Sequence, residues 1–552
     1  MPGGGIFHKF NGREIMVRFI AVFLLSVCCL ILPFFSAASD RSRSAVLQEK
    51  LAVVDSLLEK QRLALNLPEV PPAADAVFFR RIWLNGAGRL PSEKEVREFL
   101  RSKDPGKRIS AIEKVLSSGE HADLIAMRFC DMLRVKSEFP INLWPNAVQA
   151  FHYRLREDIF NNRSYGEMVR EMLTSSGSNF RQVYANFFRT TGDRTAEGLA
   201  TITALTFMGL RLEKLPEKER KAFSNFFSRI RYKSTYEWKE EIVYTDPAEV
   251  RVRAYLPGSG SFVIHSPAED PRQILAKELI DGSNAYFARA FVNRAWSWFF
   301  GKGFMEPADD IEPESRGMTA VLEDWGILKD STRIVQKELL DFLTAEFRSS
   351  GYDMRHLFRL IMNSSAYGSA ALPDKKMQSV QEKYFFSYPI RRMEAEIISD
   401  CLGALTGVYG KYSSVIPEPF TYLPAGTKAV QVADGSISSA LLDQFGRPSR
   451  DTGKISDRRN FITASQRLYL LNSGTLYNQL NRQGWRIARE TRWNLRKGVE
   501  RLYLMALSRY PTEKEHRIVR AYYEKLPGPQ KGRVWPDLIW VLANSKEFLY
   551  FH

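Results

Sequence analysis

The chain has 552 residues, a formal charge of +16, 44% hydrophobic residues and 26% charged ones. That length calls for two or more domains, each able to bury a core, and the composition excludes a disordered chain. The cationic excess favours anionic partners. Its basic residues are dispersed, however, with local density only at 211–233 and 482–501, and without a nucleic-acid motif no nucleic acid is expected.

Residues 1–38 read as an export segment. Lys9, Arg13 and Arg18 precede the apolar run Phe19 to Phe35, and Ser36-Ala37-Ala38 offers small residues for cleavage. An uncleaved anchor is the one membrane contact expected, and the protein is expected in the periplasm or at the cell surface. Cleavage removes Lys9, Arg13, Arg18 and Glu14, leaving a charge of about +14. Of the four cysteines, Cys28 and Cys29 lie in this segment. Cys130 and Cys401 sit in apolar helical contexts and are expected as buried free thiols.

Residues 40–66 predict a charged amphipathic helix ended by Pro68, Pro71 and Pro72. In FFRRIWLNGAGRLPSEKEVREFL (78–100), Pro91, Ser92 and Glu95 form a capping box. The segment has an echo. Arg81 to Leu84, four residues, then Arg89 to Glu95 match Arg501 to Leu504, four residues, then Arg509 to Glu515. Both predict a helical hairpin with a capped second helix. Helices continue over 107–117, 121–136, 146–160, 165–174 and Lys221 to Arg231. From Tyr236 to Pro267, EEIVYTD, EVRVRAYLPGSG and SFVIHS alternate like short strands about Pro257-Gly258-Ser259-Gly260.

Asp270 to Pro313 is the most informative stretch. Tyr286 to Phe300 reads as a buried helix, with Phe287, Phe291, Arg294 and Trp298 on one stripe. A guanidinium among rings demands compensation. Gly301 and Gly303 then turn the chain towards Glu306, Asp309 and Asp310, and a clamp from Arg294 or Arg289 to Asp309 or Asp310 is expected. Residues 314–330 read as an insertion, and Ser331 or Thr332 as the cap of a helix reaching Arg348. Asn363-Ser364, Asn472-Ser473 and Asn544-Ser545 read as helix junctions, the Asn closing one helix left-handed and the Ser capping the next. Residues 408–460 form the longest irregular region, a length that marks function.

RRIWLNGAGRLPSEKEV, ANFFRTTGDRTAEGLATITALTFMGLRLE, FARAFVNRAWSWFFGKGFMEPADD and SSGYDMRHLFRLIMNSSAY together resemble a bacterial family built from domains of unknown function 1549 and 1553. That family is abundant in planctomycetes and often fused to c-type cytochrome domains. The resemblance covers nearly all of the chain after residue 38 and brings no established activity. Where the family has a C-x-x-C-H-like cluster, this chain reads Leu210 to Glu217. Where it has a C-E-C-E-R-like segment, Gly446-Arg447-Pro448 leads to Asp451-Thr452-Gly453-Lys454. The paired losses imply that both clusters served one soft-ligand site, in which case 213–217 and 450–458 should meet.

The fold class expected is mainly α. A helical domain at 39–235 and another at 270–552 are joined by a small β insert at 236–269. No P-loop, dinucleotide fingerprint, G-x-S-x-G or H-E-x-x-H occurs, and the histidines lack ligand spacing. No cofactor and no metal site are expected. Glu306, Asp309 and Asp310 are the candidate catalytic acids. Arg289, Asn293, Arg294, Trp298, Asp434, Asp443 and Arg447 are the candidate binding residues. Three readings stay open: a non-catalytic protein binding an anionic glycan or a cell-surface protein, a hydrolase or lyase on anionic polysaccharide, and a degenerate redox or metal module.

Overall fold

Local signals decide most of the helices. In a computed structural model, Ser92 and Thr512 each accept the backbone N–H three residues on, while Glu95 and Glu515 reach back to close reciprocal capping boxes. The hairpins Asp75–Ala87 with Glu93–Arg101 and Leu495–Leu507 with Glu513–Lys525 follow. Their likeness extends to side chains: Arg89 meets Glu95 at 3.0 Å, and Arg509 meets Glu515 at 2.7 Å. The two hairpins also hold each other, through Arg97–Glu500 at 2.6 Å and Arg501–Glu93 at 3.1 Å.

The structure describes residues 45–247, 251–264, 269–282, 284–311, 335–372, 375–412, 414–417 and 419–552. The export segment, the 314–330 insertion and the Ser331 or Thr332 cap lie outside them. Contacts divide the chain into Met1–Ser56 and Leu57–His552. In the first unit, residues 45–56 are helical.

Among its described residues the second unit is mainly α, with sheets of only two or three strands. Strands β1 (Gly177–Ser178), β2 (Ile230–Ser234) and β3 (Glu241–Thr245) form an antiparallel sheet in the order β1-β3-β2. Strands β4 (Val252–Leu256) and β5 (Gly260–Ile264) pair across the glycine turn, where Gly258 has φ 78°. The helix predicted over Lys221 to Arg231 is shorter. It spans Glu217–Ser224 and gives way to a 3-10 turn, Asn225–Phe227. The residues from Ile230 on are taken into the ladder with β3, which satisfies backbone groups that a longer helix would have used.

The central helix, Phe287–Phe300, is buried along nearly its whole length, as its composition predicts. Phe291 stacks on Phe347 at 5.1 Å and Trp296 on Phe300 at 4.4 Å. Gly301, at φ 79°, closes the helix left-handed. The β4–β5 turn is tied to the start of this helix by Asn284. Its Nδ2 donates to Pro257 O at 2.8 Å, and its Oδ1 accepts from the Tyr286 N–H. Strands β6 (Arg391–Arg392) and β7 (Tyr550–Phe551) pair near the chain's end. Arg80 donates to Ala506 O at 2.7 Å and Phe548 O at 3.0 Å, and Arg81 to His552 O at 2.9 Å. The first hairpin is thereby fastened to the last helices.

Cys130 and Cys401 are buried and unbonded. Burial pushes both thiols up to about 12, so they pack as small hydrophobes. Among the described residues no helix is long and apolar enough to cross a membrane.

Candidate functional site

Arg294 is 2% exposed, as its place in an aromatic seam requires. Its partners differ from the expected carboxylates. Nη1 donates to Thr206 O at 2.7 Å and Nη2 to Leu205 O at 3.2 Å. These carbonyls lie in a π-helical turn, Ala204–Met208, that ends at left-handed Gly209. Carbonyls at a helix end lack partners within the helix and carry the negative end of its dipole. They solvate the guanidinium without the desolvation cost of a second buried charge. Arg289 instead reaches Asp341 at 2.7 Å. The predicted clamp is therefore corrected: neither arginine bonds Asp309 or Asp310.

Those acids meet other cations. Lys214 holds Asp310 at 2.6 Å, and Arg211 lies 3.4 Å from Asp310 and 3.7 Å from Asp309. Asp309, fully buried, accepts the Ile455 N–H at 2.7 Å. The segments 210–217 and 450–458 thus both reach the acid pair, one through Arg211 and Lys214 and the other through Ile455. Asn293 stabilises the glycine turn, its Nδ2 donating to Met305 O at 3.2 Å and its Oδ1 accepting the Met305 N–H at 3.0 Å.

Beside this knot lies a cleft of about 350 Å³, within the range of small-ligand sites. One wall is the helix Gly119–Met132, carrying Arg128 and Asp131. Another is the central helix and its turn, carrying Arg294, Trp298 and Glu306. The third is the irregular stretch from Pro448 to Asn460. Three predicted residues therefore line one cleft: Arg294, Trp298 and Glu306. Asp309 lies behind it, where its hydrogen bond fixes Ile455 on the rim. Asp434 is buried elsewhere and accepts the Ser137 N–H at 2.9 Å. Asp443 is bound by Ser438 at 2.5 Å and lies outside the cleft. Arg447 sits 3.5 Å from Glu396 and donates to Asp434 O at 3.1 Å.

Arg128, which the sequence analysis did not single out, is the most exacting member. It is 5% exposed and lies 3.4 Å from Glu394 and 5.5 Å from the Trp298 ring. Its Nε and Nη1 have no acceptor among the described residues, and neither does Nε of Arg391 on the same cleft. Burial pulls the guanidinium below its ordinary value, with Glu394 offsetting. Most acids on the wall are already engaged. Asp131 accepts from Arg458 at 2.6 Å and Arg450 at 2.8 Å. Burial alone would raise the Glu396 carboxyl behind it, but Arg458, at 2.6 Å, outweighs burial and holds it at about 2. Glu306 is raised by burial against the opposing Gly303 N–H. The surplus on this surface is of N–H donors. A signal was present in the sequence: Arg128 and Asp131 interrupt an apolar helix, and Glu394 and Glu396 interrupt another, Ala395–Thr406 with its cap.

The comparisons agree with this division of the cleft between two parts of the chain. Protein of unknown function DUF1549 matches residues 53–215, and protein of unknown function DUF1553 matches residues 271–523. The chain belongs to this two-domain family. The cleft draws Arg128 and Asp131 from the first matched region and its remaining walls from the second. No curated protein and no solved structure shows significant similarity to the chain. Among the described residues no group of three or more His, Cys, Asp or Glu side chains is arranged to hold a metal ion.

Proposed function

We propose that this family member is an exported, non-catalytic bacterial protein of the periplasm or cell surface, and that its cleft holds the acidic group of a glycan. The observation that carries this reading is the pair of unanswered N–H groups on buried Arg128. A buried guanidinium without acceptors is costly, and a carboxylate or sulfate relieves the cost through charge-assisted hydrogen bonds. Trp298 beside it offers a ring face to a sugar. An acidic side chain of a cell-surface protein would meet the same donors.

The test is calorimetric titration of the purified protein with uronic-acid and sulfated oligosaccharides. Arg128→Gln and Trp298→Leu are expected to weaken binding about tenfold or more, whereas Asp309→Asn and Asp310→Asn leave it within about threefold, since those acids brace the rim. Wild-type affinity in a folded Arg128→Gln protein would overturn the reading.

Glu306, raised by burial and facing the cleft, favours a second reading as a hydrolase or lyase on anionic polysaccharide. Such chemistry uses two available carboxylates, but Asp309 is sealed beneath Ile455 and Asp310 is bound by Lys214. No release of reducing ends or unsaturated uronates is expected. Turnover abolished by Glu306→Gln would instead establish the enzyme.

A further inference from the structure

We infer that the C-terminal helices carry a second binding site, in which an aromatic hollow takes one sugar ring of a sulfated or carboxylated polysaccharide. It shares no residue with the cleft and does not depend on the reading given to the cleft. The hollow, about 300 Å³, is walled by Trp485, Trp493, Tyr523 and Trp535. Trp485 and Trp493 lie 6.1 Å apart at 66°, Trp493 and Trp535 5.7 Å apart at 80°, and Tyr523 and Trp535 6.4 Å apart at 77°. Rings set so steeply form walls instead of a stack. They offer no parallel pair to sandwich a nucleobase, whereas a sugar ring has C–H bonds on its faces and its edge to set against several walls. The rim runs close to them: a Cβ on Gly532 would lie 2.5 Å from Trp485 and 3.2 Å from Trp493.

The backbone shows that these side chains are held in place at a cost. Where the helix Gly474–Glu490 ends, Arg492 has φ 52° and Trp493 φ 61°, and the Trp493 N–H donates to Ala488 O at 2.8 Å. Glycine or asparagine suits such a turn, and a bulky aromatic in the left-handed region is an outlier. Strain of this kind, kept at an opening where Trp493 stays 51% exposed, points to use.

Charge selects the occupant. Arg482, Trp485 and Arg489 fall three and four residues apart, on one helix face. Arg482, Arg489 and Arg492 are exposed and bond no carboxylate among the described residues, whereas Arg486 and Arg501 are taken up by Glu490. Lys531 stands 5.0 Å over the Tyr523 ring. Exposed guanidiniums interleaved with rings match a polymer that carries an anionic group on each sugar.

The test compares dextran sulfate, uncharged dextran and a single-stranded oligonucleotide as ligands of the purified protein, read by tryptophan fluorescence and by affinity at several salt concentrations. Dextran sulfate should bind in a salt-dependent way and quench fluorescence. Trp493→Ala should weaken it about tenfold. Arg492→Gly should weaken it about threefold or more while leaving Tm unchanged or higher, because glycine relieves the backbone; a purely structural role would move only Tm. Dextran binding as tight as that of dextran sulfate, or oligonucleotide binding as tight, would overturn the assignment. Wild-type binding by both the Trp493 and Arg492 variants, with loss confined to Arg128→Gln, would place all binding in the cleft and overturn this site alone.

Discussion

At Arg294 the guanidinium finds its oxygens on the end of a π-helical turn nearly ninety residues earlier in the chain. Burial was legible, because a residue on a stripe with Phe287, Phe291 and Trp298 has nowhere else to go. Its partners were not, because carbonyls belong to no residue type and leave no mark on the sequence. Replacing Arg294 with Ala strands two buried carbonyls and opens a cavity, for an expected loss of about 3–4 kcal/mol in a urea titration. A loss below about 1 kcal/mol would show that the carbonyls find other donors. The three Asn-Ser junctions teach a similar lesson. Each serine caps the next helix, as expected: Ser364, Ser473 and Ser545 accept the N–H of Tyr367, Leu476 and Phe548. The asparagines do not turn left-handed. Asn363 and Asn544 donate instead to the carbonyls four residues back, Arg359 O at 2.8 Å and Trp540 O at 2.9 Å, which satisfies part of the helix end by another route.

Among the elements, those governed by neighbours in sequence were the most readable. The helical hairpins, their capping boxes and the glycine-turn strands all rest on spacings of a few residues. Ser92→Ala and Thr512→Ala should each cost about 1 kcal/mol, read as a shift in the denaturation midpoint. Comparable losses at the two sites would show that the matched sequences do matched work. The sheet was only half legible. Strands β3, β4 and β5 alternate visibly, whereas β2 begins inside the stretch read as a helix to Arg231 and the two residues of β1 carry no alternation, so both depend on β3 lying between them. The cleft was legible as a neighbourhood but not as a set of groups. Arg294, Trp298 and Glu306 lie close in sequence, and the Arg128 wall comes from a helix more than 150 residues away.

Across the whole molecule, carboxyls held down by arginines and one carboxyl pushed up by burial pull stability in opposite directions with pH. Glu95, Glu396 and Glu515 are held at about 2, each against the raising effect of burial, by Arg89, Arg458 and Arg509 respectively. Their contribution is complete above the ordinary glutamate value and is lost as pH falls from about 4.5 towards 2. Asp400 is pushed up to about 7 by burial, against the opposing N–H groups of Ala429 and Val430. Its contribution is complete below the ordinary aspartate value and is lost as pH rises from about 4 through 7. Burial also holds the His121 and His152 imidazoles down at about 4, and their contribution, complete above the ordinary histidine value, is lost as pH falls from about 6.5 through 4. Between those limits the two histidines outweigh Asp400, so the urea midpoint should rise from acid to about pH 6.5 and climb no further above it. In an Asp400→Asn protein the rise between about pH 4 and 6.5 should steepen, and an unchanged profile would show that Asp400 is ionised throughout.

The fastening of Arg80 and Arg81 to the carbonyls of Ala506, Phe548 and His552 bears on how the protein comes into being. Those two guanidiniums are made early and find acceptors only hundreds of residues downstream, Arg81 first at Tyr367 and Ser369 and then at His552, Arg80 at Ala506 and Phe548. Until all of them are present the hairpin has charged groups it cannot fully satisfy. The hairpin's docking is completed only as the last helices arrive, when both sides hold each other through these carbonyls.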